Sequence, residues 1–323
     1  MTRFVMMRLI ETLAVTLIMS FVIYGLIGLM PGDPIDLMIS ANPHLSAADA
    51  VRLRALYGLD QPIFERYLNW LMAALHGDFG YSRTYAKPVL DILTPRLMNS
   101  LLLMGVSFAL SVAIALPLGV YAALRPRSVI DHAINLFCFA GISIPVFWLA
   151  LLLIILFSVV LGWLPASGMA TVGIDSLGDR LSHLALPVLT LTLAQLATYT
   201  RYMRAAMIET LQADFIRTAR AKGAGRLRVV LRHALRNALI PVATILALSF
   251  GTLFSGALIT ETMFAYLGMG KLIFDSIMGN DFNLALVGLL FATLITLLAN
   301  LAADLAYAWL DPRISYTTLG RGK

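Results

Sequence analysis

The sequence predicts an all-α membrane protein with six transmembrane helices. Three observations predict this fold class: an apolar composition, six uncharged runs long enough to cross a membrane, and basic residues concentrated on alternate sides of those runs. Of the 323 residues, 59% are hydrophobic and 13% are charged, whereas soluble domains carry about 25% charged residues. So few charged side chains cannot cover a chain of this length in water, and we therefore expect it to reside in a membrane.

The uncharged runs indicate where the spans lie. A helix crosses the hydrocarbon core with roughly 20 residues, and six runs of that order contain no Asp, Glu, Lys or Arg: Thr12–Gly32, Leu97–Leu124, Ala133–Ile174, Leu181–Thr200, Asn237–Thr260 and Phe282–Ala303. The third run has 42 residues, nominally enough for two helices, but turn residues and an interfacial tryptophan follow Gly162. We therefore predict one span there. The six predicted spans are residues 10–31, 97–124, 133–160, 183–204, 237–260 and 282–309.

The first run is expected to be an uncleaved span and not a secretory signal. Its 21 residues exceed the apolar region of about 7–15 residues in a signal peptide. Glu11 interrupts the start of the apolar stretch that follows Arg8, and no small-residue cleavage site follows the run.

Lysine and arginine residues predict the orientation of the chain. With the N-terminus inside, 16 of the 24 basic residues lie on the cytoplasmic side, and six of the remaining eight lie in one long outer loop. The positive-inside rule gives little weight to long loops. We therefore predict that both termini are cytoplasmic, and that the net charge of +6 reflects orientation and not nucleic-acid binding.

Four prolines fall within or at the edges of the predicted spans: Pro117, Pro145, Pro187 and Pro241. Proline kinks a helix because it removes a backbone hydrogen bond and clashes with the preceding turn. Two interpretations stay open, namely helices shaped around a pathway through the membrane and ordinary packing within a bundle.

Residues 31–96 are predicted to form a long outer loop that contains an amphipathic helix. Four apolar residues follow Pro62 at i, i+4, i+7 and i+11, the spacing of one helix face: Phe64, Leu68, Leu71 and Leu75. This helix lies on the surface of the bundle or lipid, or forms a docking surface for an outer partner, and the two interpretations are compatible. The candidate docking residues are Asp33, Leu68 and Leu71.

The segment between the fourth and fifth spans, predicted as a cytoplasmic loop at 205–236, is strongly basic. Residues 201–236 contain nine Lys and Arg against two Asp and Glu, a net charge of +7. Such charge can serve topology alone, since each basic residue near the anionic inner leaflet contributes about 1 kcal/mol. The alternative is a surface that binds a partner protein.

The pattern of this loop predicts a helix, a glycine turn and a second helix. Ile208, Leu211 and Phe215 form an apolar stripe at i, i+3 and i+7, and Gly223 ends the first helix. A second amphipathic stretch follows at residues 227–235. This arrangement exceeds what topology requires, and it favours insertion into a groove of a partner protein.

The ten residues Asp214–Gly223, DFIRTARAKG, resemble the "EAA" loop of binding-protein-dependent ABC importer permeases, in the version of the oligopeptide/dipeptide/nickel family. Arg217 stands where the name-giving glutamate would be, and Arg236 stands near the usual proline; both departures look typical of the peptide branch. The long outer loop resembles that of the B-type subunit, and the resemblance covers essentially the whole chain. Further similar segments are Pro31–Pro34, Gly58–Pro62, Gly77–Gly80, His233–Pro241 and Asp311–Arg313.

The resemblance implies a single permease domain over residues 1–323, with the type I ABC importer fold, in the bacterial cytoplasmic (inner) membrane. A B-type chain would pair with a C-type permease to line one path. Two cytoplasmic ATPases would bind ATP and magnesium, and an extracytoplasmic binding protein would deliver the substrate. Helix 205–223 would be the coupling helix received by the ATPase. The implied coupling residues are Asp214, Phe215, Arg217, Thr218, Ala219, Arg220, Ala221, Lys222 and Gly223.

The chain itself lacks the motifs of an ATPase or another enzyme. Neither of its two Gly-Lys pairs fits a phosphate-binding loop. Gly270-Lys271 has Ala265 where the first glycine is needed and Leu272 where Ser or Thr is needed, and Gly322-Lys323 has Thr317 where the first glycine is needed. The five histidines form no H-E-x-x-H pattern, and the single cysteine, Cys138, allows neither an internal disulfide nor a Cys-based metal site. We therefore expect a subunit that is not an enzyme and has no cofactor or metal of its own.

Two alternatives from other classes are an ion-coupled secondary transporter and an intramembrane enzyme. Secondary transporters place ionisable residues within the membrane, whereas the predicted spans contain almost none, since Glu11 and Asp304 lie near their cytoplasmic ends. The substrate stays open between di- or oligopeptides, a nickel chelate and another small solute. The scattered Met, His and Cys residues show no ligand spacing, which favours peptides.

Overall fold

The structure is a computed structural model that describes residues 2–29, 52 and 60–310. Within these ranges the regular secondary structure is helical, apart from one isolated β-bridge between Tyr81 and Pro88. Asp33 and the segment Asp311–Arg313 lie outside the described residues. The predicted all-α class is confirmed for the part of the chain described.

The helices follow one another from the N-terminus to residue 310. They are α1 (Thr2–Gly28), α2 (Ile63–Leu75), α3 (Val89–Leu124), α4 (Val129–Ser143), α5 (Val146–Leu153, continued by the π-helix Ile154–Val160), α6 (Leu177–Gln212), α7 (Asp214–Ala221), α8 (Arg226–Arg228, the π-helical Val229–Ala234, and Leu235–Met263), α9 (Met269–Met278) and α10 (Phe282–Leu310).

The predicted number of six spans agrees with the helices if α4 and α5 together form one span. Among the described residues, five helices are individually long and apolar enough to cross a membrane, and the pair α4–α5 passes the same test jointly. Several helices extend beyond the predicted spans: α3 begins at Val89 instead of 97, and α6 continues to Gln212 instead of 204. The depth of each helix in the bilayer stays a prediction.

The third predicted span is not one straight helix. Its two halves are bent by 106° at a short break formed by Ile144 and Pro145. Ile144 has extended backbone angles (φ −86°, ψ 122°), because the ring of a proline disfavours helical angles in the preceding residue. The other three prolines lie inside continuous helices: Pro117 in α3, Pro187 in α6 and Pro241 in α8.

The helices α3 and α6 form the central pair of the bundle and run parallel, since Ser107 and Ser111 lie against Thr192 and Gly119 lies against Met203. They approach closely because Gly119 has no side chain: a Cβ there would lie 2.6 Å from Cβ of Met203 and 2.8 Å from the backbone oxygen of Thr200. Around this pair, α8 packs on α6 and α10, α1 packs on α10, and α4 and α5 pack on α6. These contacts hold α6 within the bundle, and α6 leads directly into the predicted coupling loop.

Candidate functional site

The candidate site is the short helix α7, which joins the end of α6 to the beginning of α8. The helix does not continue α6, because Ala213 has extended backbone angles (φ −66°, ψ 150°) and interrupts the helical path. The second amphipathic stretch predicted at 227–235 is not a separate helix either, since it is continuous with α8 through its π-helical residues. The loop therefore consists of one short helix between two bundle helices.

A single buried side chain holds α7 against the bundle. Ile216 is fully buried in a cluster with Met203 and Met207 of α6 and Val229 and Val230 of α8. The predicted stripe is wrong at this point: Ile208 and Leu211 contact the cluster, but Phe215 is 45% exposed. The break at residue 213 rotates the following helix, so that its neighbour Ile216 faces inward instead.

The outward face of α7 combines an aromatic ring with basic and hydroxyl side chains. Phe215, Arg217, Thr218 and Arg220 are exposed, whereas Ala219 is half-buried. The Arg217 guanidinium lies 3.3 Å from the carboxylate of Asp214 on the same helix. An exposed ion pair of this kind contributes about 0–1 kcal/mol. These side chains therefore remain available for a partner, and the rest of the predicted residues, Asp214, Ala221, Lys222 and Gly223, are also exposed.

Gly223 ends α7 in a Schellman motif. Its N–H donates to the backbone oxygen of Arg220 at 2.9 Å, and the N–H of Ala224 donates to that of Ala219 at 3.1 Å. This motif requires a left-handed residue, and Gly223 has φ +79°. The glycine turn predicted at this position is therefore present, and it uses the left-handed conformation.

The helix α2 of the outer loop packs on α1 through aromatic residues. The hydroxyl groups of Tyr67 and Ser20 are 2.6 Å apart, and the ring of Tyr67 contacts those of Phe21 and Tyr24 edge-on. The predicted apolar face lies mainly outside this contact, since Leu68 is 41% exposed and Leu71 only partly buried. Leu68 is therefore exposed and Leu71 partly buried, a difference that the sequence pattern did not predict.

Two buried carboxylates at the predicted outer end were not singled out from the sequence. Glu261, at the end of α8, is fully buried and accepts hydrogen bonds from Ser100 of α3 and from the N–H of Lys271 in the first turn of α9. A Cβ at residue 268 would lie 2.1 Å from the Glu261 carboxyl carbon, so glycine is required there. In the sequence, a glutamate followed by closely spaced glycines is the pattern that could have indicated this buried contact.

The second of these carboxylates, Asp281, ties the end of the outer loop to α10. It accepts hydrogen bonds from the hydroxyl of Ser82 and from the N–H of Thr84 at 3.0 Å. Arg83 also donates to the backbone oxygen of Gly279 at 2.6 Å. Glu261 and Asp281 thus both accept hydrogen bonds from uncharged groups, and both hold neighbouring segments of the chain together. Within the described ranges, no group of three or more His, Cys, Asp and Glu side chains is arranged to hold a metal ion.

Comparison with known proteins agrees with this architecture. The family model described as "Binding-protein-dependent transport system inner membrane component" matches residues 115–316, and the model of its N-terminal part matches residues 1–104. A chain of the solved MetNI methionine ABC transporter aligns with a TM-score of 0.55 at 20% identity, over 69% of this chain and 97% of that chain. The expected type I ABC importer permease fold is confirmed.

Relatives match over almost the entire chain. The oligopeptide transport system permease protein AppB of Bacillus subtilis (strain 168) is 39% identical over 318 residues, which cover 98% of this chain and 100% of AppB. The dipeptide transport system permease protein DppB of Escherichia coli (strain K12) is 33% identical over 338 residues, covering 98% of this chain and 99% of DppB. The expected relationship to B-type permeases is confirmed, and the alternatives of a secondary transporter and an intramembrane enzyme are wrong. The chain belongs to the inner membrane components of binding-protein-dependent transport systems, as a multi-pass permease subunit that is not itself an enzyme.

Proposed function

We propose that this permease lines the path of an ATP-driven importer of di- and oligopeptides. The observation that carries the substrate class is the full-length similarity to AppB and DppB, which are named as oligopeptide and dipeptide permeases. In the proposed complex the chain pairs with a C-type permease. An extracytoplasmic binding protein delivers peptides from outside, and both termini of the chain lie in the cytoplasm.

The energy for transport enters through α7. We infer that two cytoplasmic ATPases, which bind ATP and magnesium, contact the permease pair, and that one of them receives the outward face of α7. Support for this role comes from the exposure of Phe215, Arg217 and Arg220 beside the single buried residue Ile216. A helix held to the bundle by one residue can be displaced by a partner, and its displacement passes directly into α6 and α8.

The outer partner is proposed to dock near α2. Leu68 and Leu71 remain the candidate residues of α2, and Asp33 remains a candidate outside the described part of the chain. The exposed apolar side chains beside Leu68 support this assignment: Ile63, Phe64, Met72 and Leu75.

Uptake by the reconstituted complex tests the function. The permease would be assembled in proteoliposomes with its C-type partner, the two ATPases and the binding protein. A labelled dipeptide, a labelled pentapeptide and a nickel–histidine chelate would be supplied separately. We expect ATP-dependent uptake of at least one peptide and none of the chelate. Uptake of the chelate alone would contradict the proposed substrate class.

A further inference from the structure

The buried carboxylate of Asp131, in the first turn of α4, collects four hydrogen-bond donors. The residue is 2% exposed. Arg204 of α6 donates to both carboxylate oxygens, from Nε at 2.6 Å and from Nη2 at 2.7 Å. The N–H of Arg127 donates at 2.8 Å and the side-chain amide of Asn135 at 2.9 Å. Two carboxylate oxygens offer about four acceptor positions, so the buried carboxylate is fully satisfied, while the Arg204 side chain is 24% exposed.

The turn between α3 and α4 is organised around the same carboxylate. Arg127 has φ +63°, a left-handed conformation that residues other than glycine seldom adopt. Its N–H is directed at Asp131 in this conformation, and Ser128 caps α4 by accepting the N–H of Asp131. The turn, the start of α4 and the end of α6 therefore form one hydrogen-bonded unit.

This unit lies between α7 and the broken span. Arg204 precedes the end of α6 at Gln212 by about two helical turns, and α7 begins two residues later. Close to Arg204, α6 also contacts α3 where Gly119 leaves no room for a side chain. At its other end, α4 meets α5 at the 106° bend. A displacement of α7 that moves the end of α6 would therefore act on the start of α4 through Asp131.

An ion pair in this position specifies geometry more than it stabilises the bundle. Buried ion pairs contribute little net stability compared with apolar side chains of similar volume, because both charges are removed from water. A bidentate pair of Arg and Asp, however, permits one relative orientation of the two groups. The pair thus fixes how α6 and α4 are oriented at their cytoplasmic ends, whereas apolar packing alone would let them slide.

We propose that Asp131 and Arg204 form a positioning pair that transmits the movement of α7 along α6 to α4, and so couples ATP hydrolysis to opening of the path. The proposal rests on the coupling role proposed for α7. It assigns no contact with the substrate to either residue.

The number of peptides transported per ATP hydrolysed tests this pair in the reconstituted complex. Asp131→Asn preserves shape but removes the charge, and Arg204→Lys preserves the charge but loses the bidentate geometry. We expect both variants to retain the ATPases, because the outward face of α7 is unchanged. The peptide-to-ATP ratio should fall about tenfold in Asp131→Asn and less in Arg204→Lys, a loss within the usual range of coupling between sites. Asp175→Asn, which removes an exposed ion pair with Arg180, is the matched control and should leave the ratio unchanged.

Each result decides for or against the positioning pair. An unchanged ratio in the assembled variants would overturn it, and failure of both variants to assemble would overturn it too, since the pair would then be only structural. If Asp131→Asn alone fails to assemble, the ratio in Arg204→Lys decides. A wild-type complex that hydrolyses ATP without importing peptide would contradict the proposed substrate instead. The pair would then be tested by how strongly the binding protein stimulates ATP hydrolysis, a stimulation that Asp131→Asn should reduce.

Discussion

Two glycines of the α7–α8 turn differ in what they require of the backbone. Gly223 has φ +79°, whereas Gly225 has φ −63° and extended angles that any residue adopts. At both glycines, a Cβ would have no atom within 4 Å other than those of the glycine itself and its two chain neighbours. Any effect of a side chain at Gly223 must therefore come from backbone strain and not from a clash.

We expect Gly223→Val to abolish uptake while the permease remains in the membrane. A β-branched residue in the left-handed region costs about 1–3 kcal/mol, which is relieved if the Schellman motif opens and α7 is displaced. The measurements are the level of permease in membranes, co-purification of the ATPases and peptide uptake.

Gly225→Val is the matched control for this prediction, because it places the same side chain in the same turn without strain. It should assemble and transport normally. Normal uptake by Gly223→Val would contradict the assignment of α7 as the coupling helix.

Adjacent residues of α7 should separate partner binding from folding. Phe215→Asp changes an exposed side chain, so the permease should accumulate normally but lose the ATPases on purification. Ile216→Ala removes a fully buried side chain, which typically costs about 2–5 kcal/mol, so α7 should detach from the bundle. Limited proteolysis at the α6–α7 junction should be faster in Ile216→Ala and unchanged in Phe215→Asp. Equal proteolysis of both variants would show that Ile216 does not hold α7.

Among the elements, α2 presents two different faces. Its inward face packs on α1 through Tyr67, and Trp70 is partly buried beside it. Its outward face carries Leu68 and further exposed apolar residues. The inward face fits the interpretation of a helix packed on the bundle, and the outward face is the one on which docking is proposed.

We expect Leu68→Asp to weaken peptide uptake without changing the amount of permease in the membrane. A charge on the outward face opposes docking of the binding protein, and it leaves the contact with α1 intact. Leu71→Asp, at a partly buried position, should lower both uptake and the amount of permease. Asn69→Asp places the same charge away from the apolar face and is the control. Normal uptake by Leu68→Asp would exclude α2 as a docking surface.

At the scale of the whole molecule, the orientation is a prediction from charge. Reporter enzymes that are active only outside the cytoplasm should be active when fused after residues 60, 172 and 275, and inactive after residues 128, 222 and 318. The basic segment 201–236 carries a net charge of +7, and a short segment so charged is retained on the cytoplasmic side. Activity after residue 222 would contradict the orientation and, with it, the proposed contact of α7 with the ATPases.

The same fusions examine the broken span. A fusion after residue 128 and one after residue 172 flank the pair α4–α5, which crosses the membrane as one bent unit in the predicted topology. Opposite activities at these two positions are expected. Equal activities would indicate that the pair enters and leaves on the same side.

Sequence by itself determined the features that depend on neighbouring residues. The uncharged runs indicated the membrane helices, and the glycine after a basic helix indicated the turn at Gly223. Each of these features depends on composition or on periodicity along a few helical turns. The coupling helix predicted at 205–223 is wrong in its bounds, because Ala213 divides it into the end of α6 and the separate helix α7. The motif Asp214–Gly223 carried the family resemblance.

Only the tertiary structure decided which side chains meet. One extended residue, Ala213, exchanged the roles of Phe215 and Ile216, because a helix that restarts does not keep the rotation of the helix before it. The bond between Arg204 and Asp131 joins residues 73 positions apart, and that between Ser100 and Glu261 joins residues 161 positions apart. Such buried polar contacts are set by how whole helices pack, and no local pattern of the chain encodes that packing.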